Sequence, residues 1–200
     1  NPPGRHYRDI CEFVGAWLRP QGWSVEMIRA EGAPGDSDRY PRWNVVCRHE
    51  GTRPGQCVHF NSHHDVVALG DGWTRDPFGG EVAEGRIHGR GACDMKGGLA
   101  ASVIAAESFI AMCPDHAGAI EISATADEES GGYGGVAYLA EQGRFAPTRV
   151  QHVIIPEPWT RTGSVSAIGA SGGRRSRRRG ASPTARCRSW AIARCAIWAR

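Results

Sequence analysis

The sequence predicts an α/β fold with a mixed, largely parallel sheet and helices on both of its faces. The first observation is that apolar segments of strand length alternate with helical patterns between residues 5 and 155. The second is that most acidic and histidine residues with informative spacing directly follow strand segments. Open α/β sheets place their functional sites at the ends of strands, so both observations favour the same architecture.

The first sixty or so residues predict one helix and three strands. Residues 5–19 carry apolar side chains at helical spacing, and Pro20 ends that pattern. Residues 23–30 alternate between apolar and polar side chains, as a half-buried strand does. Residues 43–48 and 57–62 predict two further strands, joined by a segment rich in turn residues.

The middle of the chain predicts a long loop followed by two helices and two strands. Residues 68–92 are rich in glycine and predict a loop, and loops of this length are often functional. Residues 96–112 carry one apolar stripe and predict a helix. A strand over 119–124, a short helix over 133–141 and a strand over 150–155 complete the pattern.

The composition predicts a protein of the reducing cytoplasm. The seven cysteines are odd in number and form no C-x-x-C pair, so we expect no disulfide framework. Cys93, beside Asp94, could be a soft ligand or a nucleophile, but we expect a small buried thiol. No run approaches the ~18 apolar residues that a membrane span needs, and no signal-peptide pattern is present. The chain begins with Asn1 rather than Met, so an earlier leader would lie outside it.

Residues 171–200 differ in composition from the rest of the chain. They contain nine Arg and no acidic residue, and without them 15 basic and 21 acidic residues remain, a net charge of −6. The chain has 23 Arg and a single Lys, which suggests a GC-rich gene. GC-rich DNA read out of frame gives Arg, Ala, Gly, Cys and Trp, so we interpret 171–200 as a frameshifted tail. A basic nucleic-acid-binding arm is the alternative.

Three residues predict part of a divalent-metal site. His63 and Asp65 stand two residues apart at a strand end, so their side chains point to the same side and His64 faces the other. A ligating His usually donates its second ring N–H to a carboxylate, so Asp65 could orient His63. Asp94 lies in a glycine-rich run, and its two oxygens could bridge two ions. Its alternative role is the N-cap of the following helix.

Acidic residues also follow the last two strand segments. Glu128 and Glu129 come after the strand over 119–124, where one carboxylate could bind metal while the other accepts a proton from water. Glu157 stands between two prolines, which would hold its carboxylate rigidly. The alternative is a solvated acidic turn in the first case and a turn residue in the second. Carboxylates and imidazole without thiolate suit zinc, cobalt or manganese, and two ions ~3.5–4 Å apart can share a water.

Five segments of the chain together resemble the M20 family of metallopeptidases. They are SHHDVV, GDGWTRDPF, GRIHGRGACDMKGG, TADEESGG and PEP, and the resemblance covers roughly residues 5–170. The family includes acetylornithine deacetylase, succinyl-diaminopimelate desuccinylase, aminoacylase and glutamate carboxypeptidase. The resemblance implies a zinc-peptidase-like catalytic domain, of which residues 1–170 would be the N-terminal part.

The resemblance also implies a role for each candidate residue. Asp65 would orient His63, and Glu128 would be the general base that activates water. The implied cofactors are two divalent metal ions, Zn²⁺ with Co²⁺ or Mn²⁺ as alternatives. The implied metal ligands are His63, Asp94, Glu129 and Glu157.

The implied reaction is hydrolysis of the amide bond of an N-acyl amino acid, of the deacetylase or desuccinylase type. A di- or carboxypeptidase of the same family is the alternative. The family implies one more metal-binding His and a lid and dimerisation domain after residue 170, which the tail at 171–200 does not supply. We therefore expect this chain to be inactive or nearly so and the intact enzyme to be a homodimer. We expect neither nucleic acid nor a membrane among its partners.

A serine hydrolase and a non-catalytic basic module are the remaining alternatives. The run Gly169–Gly173 matches G-x-S-x-G, but no His follows it in the chain. The basic module rests on the tail alone, and the acidic balance of residues 1–170 gives it no support.

Overall fold

The computed structural model describes residues 4–158 and the backbone of residues 167–169. Within these residues, helical turns lie at Arg19–Gln21, Ala92–Lys96, Glu128–Ser130 and Tyr133–Ala137. The helices and strands are α1 (Tyr7–Leu18), β1 (Ser24–Arg29), β2 (Trp43–Glu50), β3 (Arg53–His63), β4 (Glu81–Ala83), β5 (Arg86–His88), α2 (Gly97–Met112), β6 (Ala117–Thr125), α3 (Tyr138–Glu141), β7 (His152–Ile154) and β8 (Ala167–Gly169).

Six of these strands form one mixed sheet in the order β1-β2-β6-β3-β7-β8. The central strand β3 is parallel to both of its neighbours, β6 and β7. The pairs β1-β2, β2-β6 and β7-β8 are antiparallel. The mixed sheet predicted from the sequence is present, and its parallel part is the centre that carries the site.

One face of the sheet packs against α1 and α2. Both helices turn apolar stripes inward, and the indole N–H of Trp17 on α1 donates to the carboxylate of Glu107 on α2 at 2.7 Å. Removing this apolar surface from water is the main stabilising contribution on this face. The buried residues of this core are Cys11, Val14, Leu18, Trp23, Val45, Cys47, Leu99, Ala100, Val103, Ala106, Ile120, Ile122 and Ala124.

The other face of the sheet carries a buried polar layer beneath α3 and the segment that follows it. His59 on β3 lies between Glu121 and Ser123 on β6, at 2.7 Å from each. Arg149 pairs with the second oxygen of Glu121, and the ring of Phe145 covers His59. The buried charges are therefore paired, as low-dielectric surroundings require. Helices on both faces are present as predicted.

The glycine-rich segment 68–92 and the segment of the second predicted helix differ from the sequence-based expectations. The glycine-rich segment 68–92 contains a small antiparallel hairpin, β4-β5, because Glu84 and Gly85 provide a tight turn with positive φ. The helical segment Ala92–Met112 is long and apolar enough to cross a membrane by length and composition, although no such run was expected. Leu99 and Val103 of this segment are buried in the core between α2 and the sheet, so its apolar character serves the core.

Candidate metal centre

His63 is the last residue of β3, and its ring connects the sheet with two carboxylates. The side chain is buried, with 1% exposure. Its Nδ1 lies 3.1 Å from the carbonyl oxygen and 3.4 Å from the carboxylate of Asp65. Its Nε2 lies 3.0 Å from Oδ1 of Asp94. One ring nitrogen is thus held by Asp65 from the protein side, while the other points into the site.

Asp94 reaches the site from the turn that precedes α2. Gly91 adopts φ 77°, a conformation that an L side chain rarely takes, and the Asp94–Met95 peptide bond is cis. Met95 is buried, and its sulfur accepts the backbone N–H of His63 at 3.3 Å. The N-cap of α2 is Lys96, so Asp94 does not have the capping role considered as its alternative.

A turn over residues 126–132, which we call the Asp127 turn, presents two more carboxylates. Asp127 adopts the left-handed conformation at φ 60°, and its carbonyl accepts the N–H of Gly132 at 2.5 Å. The backbone N–H groups of Glu128 and Glu129 each donate to one oxygen of Asp65 at 3.1 Å. Asp65 therefore fixes both His63 and the backbone of the two glutamates.

Glu157 follows β7 and enters the site from the opposite side of β3. Its Oε2 lies 3.8 Å from Nε2 of His63, the same distance as Oε2 of Glu128. Gly98 lets Pro156 approach the start of α2, because a Cβ at Gly98 would lie 2.5 Å from the carbonyl oxygen of Pro156. The second glycine of the run CDMKGG, Gly98, thus leaves room for the segment that carries Glu157.

Burial and mutual repulsion shift the pKa values of the site. Burial alone would lower the pKa of His63, but hydrogen bonds and charge from Asp65 and Asp94 raise it to about 9. Burial, together with a hydrogen bond and charge from Asp94, raises the pKa of Glu157 to about 7. Burial and the charge of Asp94 also raise the pKa of Glu129. The site carries more negative charge than one imidazole balances, and a divalent cation would relieve that repulsion.

The pKa of Asp65 shifts in the opposite direction from those of Glu129 and Glu157. Burial alone would raise its pKa, but the hydrogen bond from His63, the nearby histidine charges and the backbone N–H of Glu129 lower it. Its oxygens are occupied by donors of the protein itself, so it has the environment of an orienting carboxylate rather than of a metal ligand.

The residues that could hold a metal form a compact set. One ligand atom each from His63, Asp94 and Glu129 lie within 4.8 Å of one another. Imidazole and carboxylate are the donors that zinc and related divalent ions accept, so the donor set fits such an ion. Glu128 and Glu157 lie close enough to the same ring to take part. All six predicted site residues therefore meet at one end of the sheet.

Some features of the site were not predicted from the sequence. The amide contacts between Asp65 and the Asp127 turn had no sequence signal, and neither did Arg42, which pairs with Asp127 at 2.7 Å. His64 faces away from the site as expected, with its Nε2 3.0 Å from the carbonyl oxygen of Trp43. The expectation of a buried thiol at Cys93 was wrong, since Cys93 is exposed.

The family of the chain follows from comparison with known proteins. Residues 59–186 match the model of peptidase family M20/M25/M40. The chain belongs to this family. The resemblance inferred from the five segments is thereby confirmed.

Curated relatives of this M20 chain include two succinyl-diaminopimelate desuccinylases. The protein from Methylobacterium radiotolerans is 34% identical over 171 residues, which cover 82% of this chain and 42% of that protein. The protein from Methylobacterium nodulans is 38% identical over 170 residues, covering 82% and 40% respectively. The chain thus spans about two fifths of the length of these relatives.

Solved structures confirm the fold class of the M20 chain. Human carnosine dipeptidase 1 superposes with a TM-score of 0.62 at 23% identity, over 78% of this chain and 34% of that one. A metallo-carboxypeptidase of the M20 family from Sulfolobus solfataricus gives a TM-score of 0.60 at 19% identity, over 77% and 34%. The mixed sheet and its helices therefore share the fold of these solved structures.

The predictions for the C-terminal residues lie outside the described part of the chain. These are the frameshifted tail at 171–200, its alternative as a nucleic-acid-binding arm, and the serine of Gly169–Gly173.

Proposed function

We propose that the complete protein is a metal-dependent hydrolase that cleaves the amide bond of an N-acyl amino acid, of the deacetylase or desuccinylase type. The observation that carries the proposal is the convergence of one buried imidazole with four carboxylates at the end of the central strands. The desuccinylase relatives favour an N-acyl amino acid as the substrate class.

Four side chains would hold two divalent ions, for which we propose zinc, with cobalt or manganese as alternatives. When bound, such ions make water more acidic and polarise a carbonyl oxygen. Asp94 has an oxygen 3.0 Å from Nε2 of His63 and could serve both ions with its two oxygens. The proposed ligands are His63, Asp94, Glu129 and Glu157.

Glu128 would move the proton in this reaction. Its side chain is 53% exposed and its Oε2 lies 3.8 Å from Nε2 of His63, so it stands beside the proposed ligands without being buried among them. From there the carboxylate would accept a proton from the attacking water and pass it to the leaving amine. Asp65 would hold Nδ1 of His63 and the backbone of Glu128. The proton acceptor Glu128 and the metal ligand His63 would thereby keep a fixed position relative to each other.

The test combines a binding measurement with an activity measurement. The metal-free 200-residue chain should bind Zn²⁺ or Co²⁺ in a calorimetric titration, and His63→Ala should weaken that binding. The complete gene product should hydrolyse N-succinyl-diaminopimelate or N-acetylornithine faster than dipeptides. Faster hydrolysis of dipeptides would favour the di- or carboxypeptidase alternative. No metal binding together with no amide hydrolysis would overturn the proposal.

The cellular setting of the complete protein follows from the same proposal. We expect a cytoplasmic homodimer that takes a small N-acyl amino acid or peptide and binds neither nucleic acid nor membranes. Light scattering of the purified complete protein would measure the assembly directly.

A further inference from the structure

The Asp127 turn, residues 126–132, carries Glu128 and Glu129 of the candidate centre. The carboxylate of Asp127 in the same turn is directed toward Arg42 instead. Asp127 is 3% exposed. Its left-handed backbone at φ 60° is uncommon for a residue other than glycine. Such a conformation persists when the surroundings hold it in place.

Arg42 supplies the main contact from outside the turn. It directly precedes β2, which pairs with β6 in a register that matches Val45 to Ala124. Arg42 therefore stands beside Asp127 at the end of the strand pair. Its Nε donates to Oδ2 of Asp127 at 2.7 Å, and the two side chains are only 9% and 4% exposed.

The guanidinium is itself held by its neighbours. Its Nη1 donates to the carbonyl oxygen of Tyr40 at 2.9 Å, and the cation lies 5.7 Å from the ring centre of Tyr7. Gly134 leaves the room for this pair, since a Cβ there would lie 2.6 Å from Oδ2 of Asp127. Removing one partner of a buried charge pair with this much support strongly destabilises the folded protein.

Two restraints thus act on the same turn from opposite sides. On the site side, Asp65 accepts the N–H groups of Glu128 and Glu129. On the far side, Arg42 holds the carboxylate of the preceding residue, Asp127. Without Arg42, the buried carboxylate of Asp127 would lose its charged partner, which favours opening of the turn toward water. That opening would pull the glutamate amides away from Asp65.

We propose that Arg42 is a positioning residue of the metal centre, acting through Asp127 to hold Glu128 and Glu129 against Asp65. Among the described residues, the contacts of its side chain include Asp127, Tyr40 and Tyr7. The inference rests on the proposed function for its consequence in catalysis, but the structural coupling can be tested without activity.

The first test measures hydrogen exchange in the metal-free 200-residue chain. In Arg42→Met, the amides of Glu128 and Glu129 should exchange about tenfold faster or more, because the local opening costs less free energy. Arg42→Lys keeps the charge and should recover part of the protection. The matched control is Arg149→Met, which removes the contact between Arg149, whose side chain is 33% exposed, and the buried Glu121. This contact lies away from the turn, so its loss should leave these two amides unchanged.

The second test measures the effect on the centre itself. Loss of a partner that orients metal ligands typically lowers metal affinity about 10- to 100-fold, and we expect that loss for Co²⁺ in Arg42→Met. The visible absorption of bound Co²⁺ should also change in Arg42→Met and remain in Arg149→Met. Asp127→Asn, which removes the charge pair at nearly constant side-chain size, gives the same readouts should Arg42→Met fail to fold.

The outcomes separate this inference from the proposed function. Unchanged amide exchange and Co²⁺ affinity in folded Arg42→Met would overturn the positioning role. Uniform loss of protection over the whole chain in both variants would also overturn it, since the pair would then serve general stability. Failure of the parent chain to bind Co²⁺ would count against the proposed function, while the exchange of the two amides would still test the coupling.

Discussion

At the residue scale, His63 shows how one ring can serve two purposes. Its Nδ1 lies beside Asp65, whose oxygens are occupied by protein donors, and its Nε2 lies beside Asp94, which is half exposed. The environments differ because Asp65 is buried between the strand end and the Asp127 turn. An orienting carboxylate and a ligand carboxylate can thus be distinguished by what else they contact.

Glu128→Gln tests the assignment of the general base. In the complete protein we expect amide hydrolysis to fall about 10²- to 10⁴-fold, since an amide side chain cannot accept the proton. Metal affinity, measured by calorimetry, should stay close to that of the parent. Glu129→Gln is the matched comparison and should lose metal affinity. A loss of metal in Glu128→Gln would instead make Glu128 a ligand.

The pKa values of His63 and Glu157 predict how metal binding depends on pH. Metal must displace the proton of His63 below pH about 9 and also that of Glu157 below about 7. Affinity should therefore rise with pH, about tenfold per unit between 7 and 9 and more steeply below 7, and level off above 9. Calorimetry in buffers of different ionisation enthalpy would count the protons released. Glu157→Gln should remove the steeper part, and a pH-independent affinity would contradict the assignment.

At the scale of elements, the site lies where the carboxyl ends of strands meet the turn before α2 and the Asp127 turn. β3 and β7 are adjacent parallel strands, so the residues at their carboxyl ends meet at the same edge. The turn before α2 then brings Asp94 across from a segment that is not part of the sheet. Close contacts between these elements depend on glycines that leave room for a neighbouring backbone.

Gly98→Ala tests the contact between α2 and the segment after β7. The new methyl group would lie 2.5 Å from the carbonyl oxygen of Pro156, so the segment carrying Glu157 must move. We expect Zn²⁺ affinity to fall about tenfold, as for other losses of ligand support. Ala101→Ser on the exposed side of α2 is the control and should bind Zn²⁺ like the parent. An unchanged affinity in Gly98→Ala would mean that Glu157 is not needed for tight binding.

At the scale of the whole molecule, the main apolar core and the buried polar layer of the described chain lie on opposite faces of the six-stranded sheet. Leu99, Val103 and Ala106 of α2 lie in this core, which accounts for the apolar character of the inward side of the helix. The proposed centre lies at an edge of this unit, and Asp94 and Glu128 are about half exposed. The chain covers about two fifths of the length of the curated relatives, so we assign the proposed reaction to the complete protein.

We expect the 200-residue chain by itself to bind metal but to show little or no amide hydrolysis. The family resemblance implies one more metal-binding His and a lid domain, and no His follows residue 152 in this sequence. The assay compares the metal-loaded chain with the complete gene product on N-succinyl-diaminopimelate. Metal-dependent turnover by the chain at a rate near that of the complete protein would contradict this expectation.

The elements of this chain could be predicted because their signals are local. Apolar periodicity indicated α1, α2 and the main strands to within a few residues. β3, however, begins at Arg53, four residues before its expected start. The hairpin β4-β5 was not expected, because three-residue strands with exposed side chains leave little periodic signal. Strand order and direction depend on contacts between distant segments, and no local pattern contains them.

For the candidate centre, the sequence by itself determined the chemical types and the order of the ligands. His63, Asp65 and Asp94 lie in motifs whose spacing is local enough to be recognised. Only the tertiary structure decided that Asp65 binds the amides of the Asp127 turn and that Arg42 holds this turn from behind. These contacts join residues that are 63 to 85 positions apart, and they form only because β2, β6 and β3 are neighbours in one sheet. The sequence specifies the residue types that the proposed chemistry needs, whereas their arrangement in space arises when the strands pair.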